Sequence, residues 1–156
     1  MRFPALIAAA LLLSAACAPA APSANEPGDP QPLPAAQSGD IAAAQRRWES
    51  RRPAAYAYDL AVTCFCVHRG EYALEVRNGE ITSVRDKSTG APAAASRVEW
   101  MVTVDRLFEV MRQAGQAGTP VRAVFHPEWG YPTETEVGML ANDSGTLYRI
   151  TGLRAL

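Results

Sequence analysis

Glu71-Tyr72-Ala73-Leu74-Glu75-Val76-Arg77-Asn78-Gly79-Glu80-Ile81 is the stretch whose reading decides the fold. Tyr72, Leu74 and Val76 alternate with polar or small residues, the two-residue period of a strand with one buried face. Asn78-Gly79 follows, the dipeptide that tolerates positive φ in a tight hairpin. A two-residue turn pairs Arg77 with Glu80 and Val76 with Ile81, so the apolar faces of both arms match. The element is an antiparallel hairpin with one face toward a core.

Upstream, the same period runs from Tyr56 to Cys66. Tyr56, Tyr58, Leu60, Val62, Cys64 and Cys66 share one parity, while Asp59, Thr63 and alanines take the other. Before this strand the spacing of Ile41, Ala44 and Trp48 predicts a helix opened by Asp40 and stopped by Pro53, which pushes Arg52 out of the helical region. Downstream, Thr103 opens a second helix with Val104, Leu107, Phe108 and Met111 on one face, ending at Gly115 or Gly118. Three more strands are predicted over residues 121–126, 133–137 and 146–153. Pro127-Glu128-Trp129-Gly130-Tyr131-Pro132 and Asn142-Asp143-Ser144-Gly145 form the turns between them. The order helix, three strands, helix, three strands, with short connections, predicts an α+β domain: one antiparallel sheet of about six strands with two helices packed on one face.

The N-terminus carries an address. Arg2, an apolar run from Phe3 to Leu13 and the small residues Ser14, Ala15 and Ala16 precede Cys17. This resembles a lipobox, which implies a signal peptide over residues 1–16 and a diacylated Cys17 at the first mature position. Ser14 stands where a large aliphatic residue is usual. The alternative is cleavage after Ala20, which discards Cys17 and yields a secreted or periplasmic soluble chain. The apolar run is too short for the ~20 residues of a membrane-spanning helix. Residues 17–39 are rich in proline and alanine and predict a disordered tether, so the single folded domain is expected over residues 40–156. Losing residues 1–16 leaves fourteen basic against sixteen acidic residues, a balance of −2 with no electrostatic footprint for nucleic acid. Arg46, Arg47, Arg51 and Arg52 form one basic cluster, expected as a solvated helix face.

Trp48, Tyr56-Ala57-Tyr58, Cys64-Phe65-Cys66, Glu75-Val76-Arg77-Asn78-Gly79, Thr89-Gly90-Ala91-Pro92, Thr103-Val104-Asp105-Arg106-Leu107-Phe108 and His126-Pro127-Glu128-Trp129-Gly130-Tyr131-Pro132 occur in this order. Together they resemble the bacterial domain-of-unknown-function family numbered 6174, small exported proteins that often carry a lipoprotein signal. The resemblance implies a fold and a compartment and no activity. Where that family often has proline after the second cysteine, this chain has Val67-His68.

Cys64, Cys66 and His68 are the residues on which chemistry could rest. Three cysteines less one taken by lipid leave two, so in an oxidising compartment Cys64 and Cys66 have only each other, and a disulfide is expected. An extended strand holds α-carbons two apart near the ~6.8 Å upper limit for bridging, so the chain must bend there. The alternative is a thiol-redox or soft-metal cluster, Cys64-x-Cys66-x-His68, with two thiolates and an imidazole as candidate ligands for copper(I) or zinc.

No G-x-S-x-G elbow, H-E-x-x-H pair or phosphate-binding glycine loop is present. His126 and Glu128 are expected to serve a local hydrogen bond at a strand end, the alternative being an acid/base pair at the turn. Trp129 and Tyr131 either cover the sheet end or form an interaction loop. The expectation is a membrane-anchored lipoprotein, no enzyme and without a cofactor, that holds an envelope protein or polymer. In an organism with two membranes it sits on the periplasmic face of the outer one.

Overall fold

The computed structural model describes residues 32–156, and the expected signal peptide, Cys17 and the expected tether as far as residue 31 lie outside the described residues. Ten elements follow in order: α1 (Ser38–Arg51), β1 (Ala55–Cys64), β2 (Gly70–Arg77), β3 (Glu80–Asp86), α2 (Ala95–Val98), α3 (Val104–Gln116), β4 (Val121–Phe125), β5 (Pro132–Val137), a 3-10 turn (Leu140–Asn142) and β6 (Thr146–Ala155). The six strands form one antiparallel sheet in the order β3-β2-β1-β6-β5-β4. The architecture is therefore the α+β domain expected, with β1 and β6, from opposite ends of the chain, paired at its centre.

The β2–β3 hairpin has the register read from its turn: Arg77 faces Glu80 and Val76 faces Ile81. Asn78 and Gly79 both take positive φ, 51° and 85°, the twist that suits a two-residue hairpin. One further residue is then accommodated, because Glu75 faces Ser83 and leaves Thr82 unopposed. This bulge moves Ile81 and Val84 onto the same face despite their odd and even numbers.

α1 starts at Ser38, two residues before the expected Asp40, which lies in its first turn. Its end follows the proline argument, with Arg52 at ψ 130° ahead of Pro53. Folded structure also begins before Asp40. Ala36 N–H donates to the Val121 carbonyl at 2.9 Å and Ala123 N–H to the Pro34 carbonyl at 3.1 Å, so residues 34–36 cover the otherwise open edge of β4. α3 is capped as its sequence requires: the Thr103 hydroxyl accepts from Arg106 N–H at 3.1 Å, with Asp105 in the first turn.

Both long helices pack on the face that carries Tyr56, Tyr58, Leu60, Val62, Tyr72, Leu74, Val76 and Ile150. Trp48 from α1 and Leu107, Phe108 and Met111 from α3 complete the core. The Trp48 ring meets Tyr56 edge to face at 5.3 Å and Tyr131 at 6.2 Å. The opposite face is open and charged. Lys87 pairs with Asp59, Arg149 with Glu134 and Arg122 with Glu136 across it. Among the described residues no helix is long and apolar enough to cross a membrane.

Candidate functional site

β1 ends at Cys64, and the chain bends through Phe65 and Cys66 into a turn at Val67 and His68 before β2 begins at Gly70. Strand parity therefore carries Cys64 alone, and the turn rather than the strand gathers Cys66 and His68 beside it. The bend brings the α-carbons of Cys64 and Cys66 to 5.2 Å, inside the bridging range, with the two sulfurs in disulfide contact. His68 Nε2 lies 4.0 Å from Cys64 Sγ, and the three potential donor atoms of Cys64, Cys66 and His68 all fall within 4.8 Å of one another.

Two neighbours hold this turn. The buried Tyr72 hydroxyl reaches the His68 and Arg69 carbonyls at 3.1 and 3.3 Å and accepts from Arg97 Nη1 at 3.0 Å. That hydrogen bond raises the Arg97 pKa, so Arg97 stays cationic. Arg97 belongs to α2, a short helix the periodicity did not reveal, and α2 delivers Trp100 onto the turn. The Trp100 and His68 rings stack with centroids 5.0 Å apart and planes 5° from parallel.

Around the sulfurs the surface is apolar. Phe65 and Val67 are each 82% exposed and Trp100 is 53% exposed, the most accessible large apolar side chains near this end of β1. Phe65, Cys66, Val67, Arg69 and Arg97 line one shallow hollow. Phe65 and Val67 alternate with Cys64, Cys66 and His68, so sequence parity opposite the buried face was the signal that could have found them. Nothing in the local sequence marks Trp100, because its place depends on the connection from β3 to α3.

The other loop considered from sequence is built differently. Tyr131 is buried and Trp129 half-buried, both against the core, so this turn covers the sheet end. His126 Nδ1 accepts from the backbone N–H groups of Glu128 at 3.3 Å and Trp129 at 3.2 Å, and its ring stacks on Tyr131. The imidazole thus organises the turn through a local hydrogen bond. Of the basic cluster, Arg51 donates to the Glu128 carbonyl at 2.7 Å and Arg52 pairs with Asp105 at 2.8 Å, while Arg46 and Arg47 remain exposed.

The family model described as Family of unknown function (DUF6174) matches residues 40–155, nearly the whole of the described chain. No curated protein and no solved structure matches it significantly.

Proposed function

This chain belongs to the Family of unknown function (DUF6174), and we propose that it is an exported lipoprotein, anchored through Cys17, that holds another envelope protein by the β1–β2 turn and performs no catalysis. The observation that carries the docking reading is the solvent-facing pair Phe65 and Val67, which share one hollow with Arg69 and Arg97, on a turn whose His68 is stacked by the half-exposed Trp100. Singly exposed apolar residues are ordinary, but two side chains 82% exposed that line one hollow form a patch. Aromatic residues with arginine at the rim are the composition of protein-binding hot spots. The charged open face of the sheet, with Lys87–Asp59, Arg149–Glu134 and Arg122–Glu136 paired among themselves, offers no comparable apolar anchor.

The anchor reading rests on Arg2, the apolar run to Leu13 and Cys17. It is compatible with the docking reading because the entering segment at residues 34–36 runs beside β4, three strands from β1 in the sheet order. Two measurements test the pair. Cys17→Ala is expected to release the protein from the membrane fraction, whereas a soluble mature chain beginning after Ala20 without acyl mass overturns the anchor. A photo-cross-linking residue at position 67 is expected to capture one discrete protein in cells, while the same residue at position 82 does not. Capture at 67 that persists in Phe65→Ser overturns the docking reading.

A further inference from the structure

We infer that Cys64, Cys66 and His68 form, when the two sulfurs are reduced, a three-coordinate site for copper(I). This goes beyond the docking reading and does not rest on it. Metal–sulfur and metal–nitrogen bonds of roughly 2.3 and 2.0 Å, at 120° in a trigonal plane, require sulfur and nitrogen about 3.7 Å apart and the two sulfurs about 4.0 Å apart. Cys64 Sγ and His68 Nε2 already stand 4.0 Å apart, and all three donors lie within 4.8 Å of one another. The sulfurs must separate, and Cys66 Sγ must settle at bonding geometry with His68 Nε2 from a starting distance of no more than 4.8 Å. Cys66 is partly exposed on a turn, so a change of its side-chain rotamer opens the sulfur–sulfur distance without disturbing β1.

The chemistry of the set favours copper(I) over zinc(II). Two thiolates with an imidazole are soft donors, and copper(I) is satisfied by three of them. Structural zinc takes four, and Cys64, Cys66 and His68 are the one cluster of three or more metal-ligating side chains among the described residues. Charge points the same way. Two thiolates and a neutral imidazole around copper(I) carry one net negative charge, and Arg69 and Arg97 line the same hollow as Cys66. His68 is also held in position, because Tyr72 bonds its carbonyl and Trp100 stacks on its ring. Held rings lose little freedom on ligation.

Loading needs a reductant, which is a dithiol. The dithiol gives two electrons and two protons to the Cys64–Cys66 bond, leaving two thiols and becoming a disulfide itself. Copper(I) then displaces the two thiol protons to solvent and bonds both sulfurs and His68 Nε2. A disulfide that takes the two electrons, with two protons from solvent, becomes a dithiol, re-forms the Cys64–Cys66 bond and releases copper(I), so metal uptake follows the redox state of this turn.

The test uses the full chain carrying Cys17→Ala, so that Cys64 and Cys66 are the remaining thiols. Copper(I) is titrated anaerobically against a chromophoric copper(I) chelator. The dithiol-reduced protein, freed of reductant, is expected to take one equivalent, with quenching of tryptophan emission that Trp100→Phe removes. The oxidised protein takes none. Cys66→Ser abolishes uptake, and His68→Ala weakens it by more than about tenfold, since even groups one step removed from a metal are worth about 10- to 100-fold. Phe65→Ser leaves the affinity unchanged, which separates this site from the docking patch. Failure of the reduced protein to compete with the chelator, or parental affinity in Cys66→Ser or His68→Ala, overturns the assignment.

Discussion

The indole Nε1–H of Trp48 donates to Asp105 Oδ1 at 3.1 Å, joining α1 to the first turn of α3 across 57 residues of sequence. Arg52 reaches the same oxygen at 2.8 Å. Trp48 is fully buried, so its donor has no access to water if the carboxylate is removed. Asp105→Ala is therefore expected to cost about 1–3 kcal/mol in urea unfolding, the penalty of an orphaned buried donor. Asp105→Asn retains an acceptor and forfeits chiefly the half-exposed ion pair, so it is expected to cost less than about 1 kcal/mol. Equal losses in the two variants would show that charge, and not the indole hydrogen bond, ties the helices together.

Alkali is expected to unfold the domain through its tyrosines. Burial raises the Tyr56 pKa, with the Asp105 charge adding to it, and burial likewise raises that of Tyr58 well above the ordinary 10.0. A folded-state pKa above the unfolded one means stability is intact below pH 10 and falls as pH rises past it. Each such tyrosine contributes a slope of about 1.4 kcal/mol per pH unit. Tyrosinate absorbance from these two rings should appear only together with loss of far-ultraviolet ellipticity. Their smooth titration near pH 10 in a folded protein would contradict the buried placement.

Neighbouring positions on β1 should respond in opposite ways to the same substitution. Leu60 is 0% exposed and paired with Tyr72 and Ile150, so Leu60→Asp buries an unpartnered carboxylate and is expected to unfold a domain holding about 5–15 kcal/mol. Ala61 lies on the open face between Glu71 and Arg149, where an added carboxylate meets one charge of each sign. Ala61→Asp is expected to change the urea midpoint by less than about 1 kcal/mol equivalent.

Gly130 and Gly79 both hold positive φ, 80° and 85°, and differ in what surrounds them. A Cβ on Gly79 meets nothing within 4 Å, so Gly79→Ala is expected to cost only the backbone term of about 1–2 kcal/mol. A Cβ on Gly130 runs into the Ala44 carbonyl and comes 2.8 Å from Arg47 Cβ, because this turn is seated directly on α1. Overpacking adds about 1–3 kcal/mol to the same backbone term. Thermal unfolding of the two variants should rank them accordingly, and similar midpoints would mean that the turn lifts off α1 at little cost.

Much of the domain was legible residue by residue. The register at Val76–Ile81 followed from a dipeptide and a period of two, the stop of α1 from Pro53, and the cap of α3 from Thr103, all interactions within a few residues. The candidate site was legible only in its parts. Cys64, Cys66 and His68 could be named from spacing, but the turn that gathers them, and Trp100 stacked on His68, required the β1–β2 bend and α2 to be placed.

By itself the sequence determined the order and type of the main elements, the buried parity of β1 and the hairpin register, because each depends on local periodicity and turn chemistry. The tertiary structure alone decided that β1 pairs with β6 at the centre of the sheet, that residues 34–36 close the edge of β4, and that Phe65, Val67 and Trp100, rather than Trp129 and Tyr131, face solvent. The physical reason is the same in each case. Strand order, edge covering and aromatic exposure are settled by contacts between segments far apart in the chain, whose free energy appears only when the surfaces meet, and no local pattern records which surfaces those are.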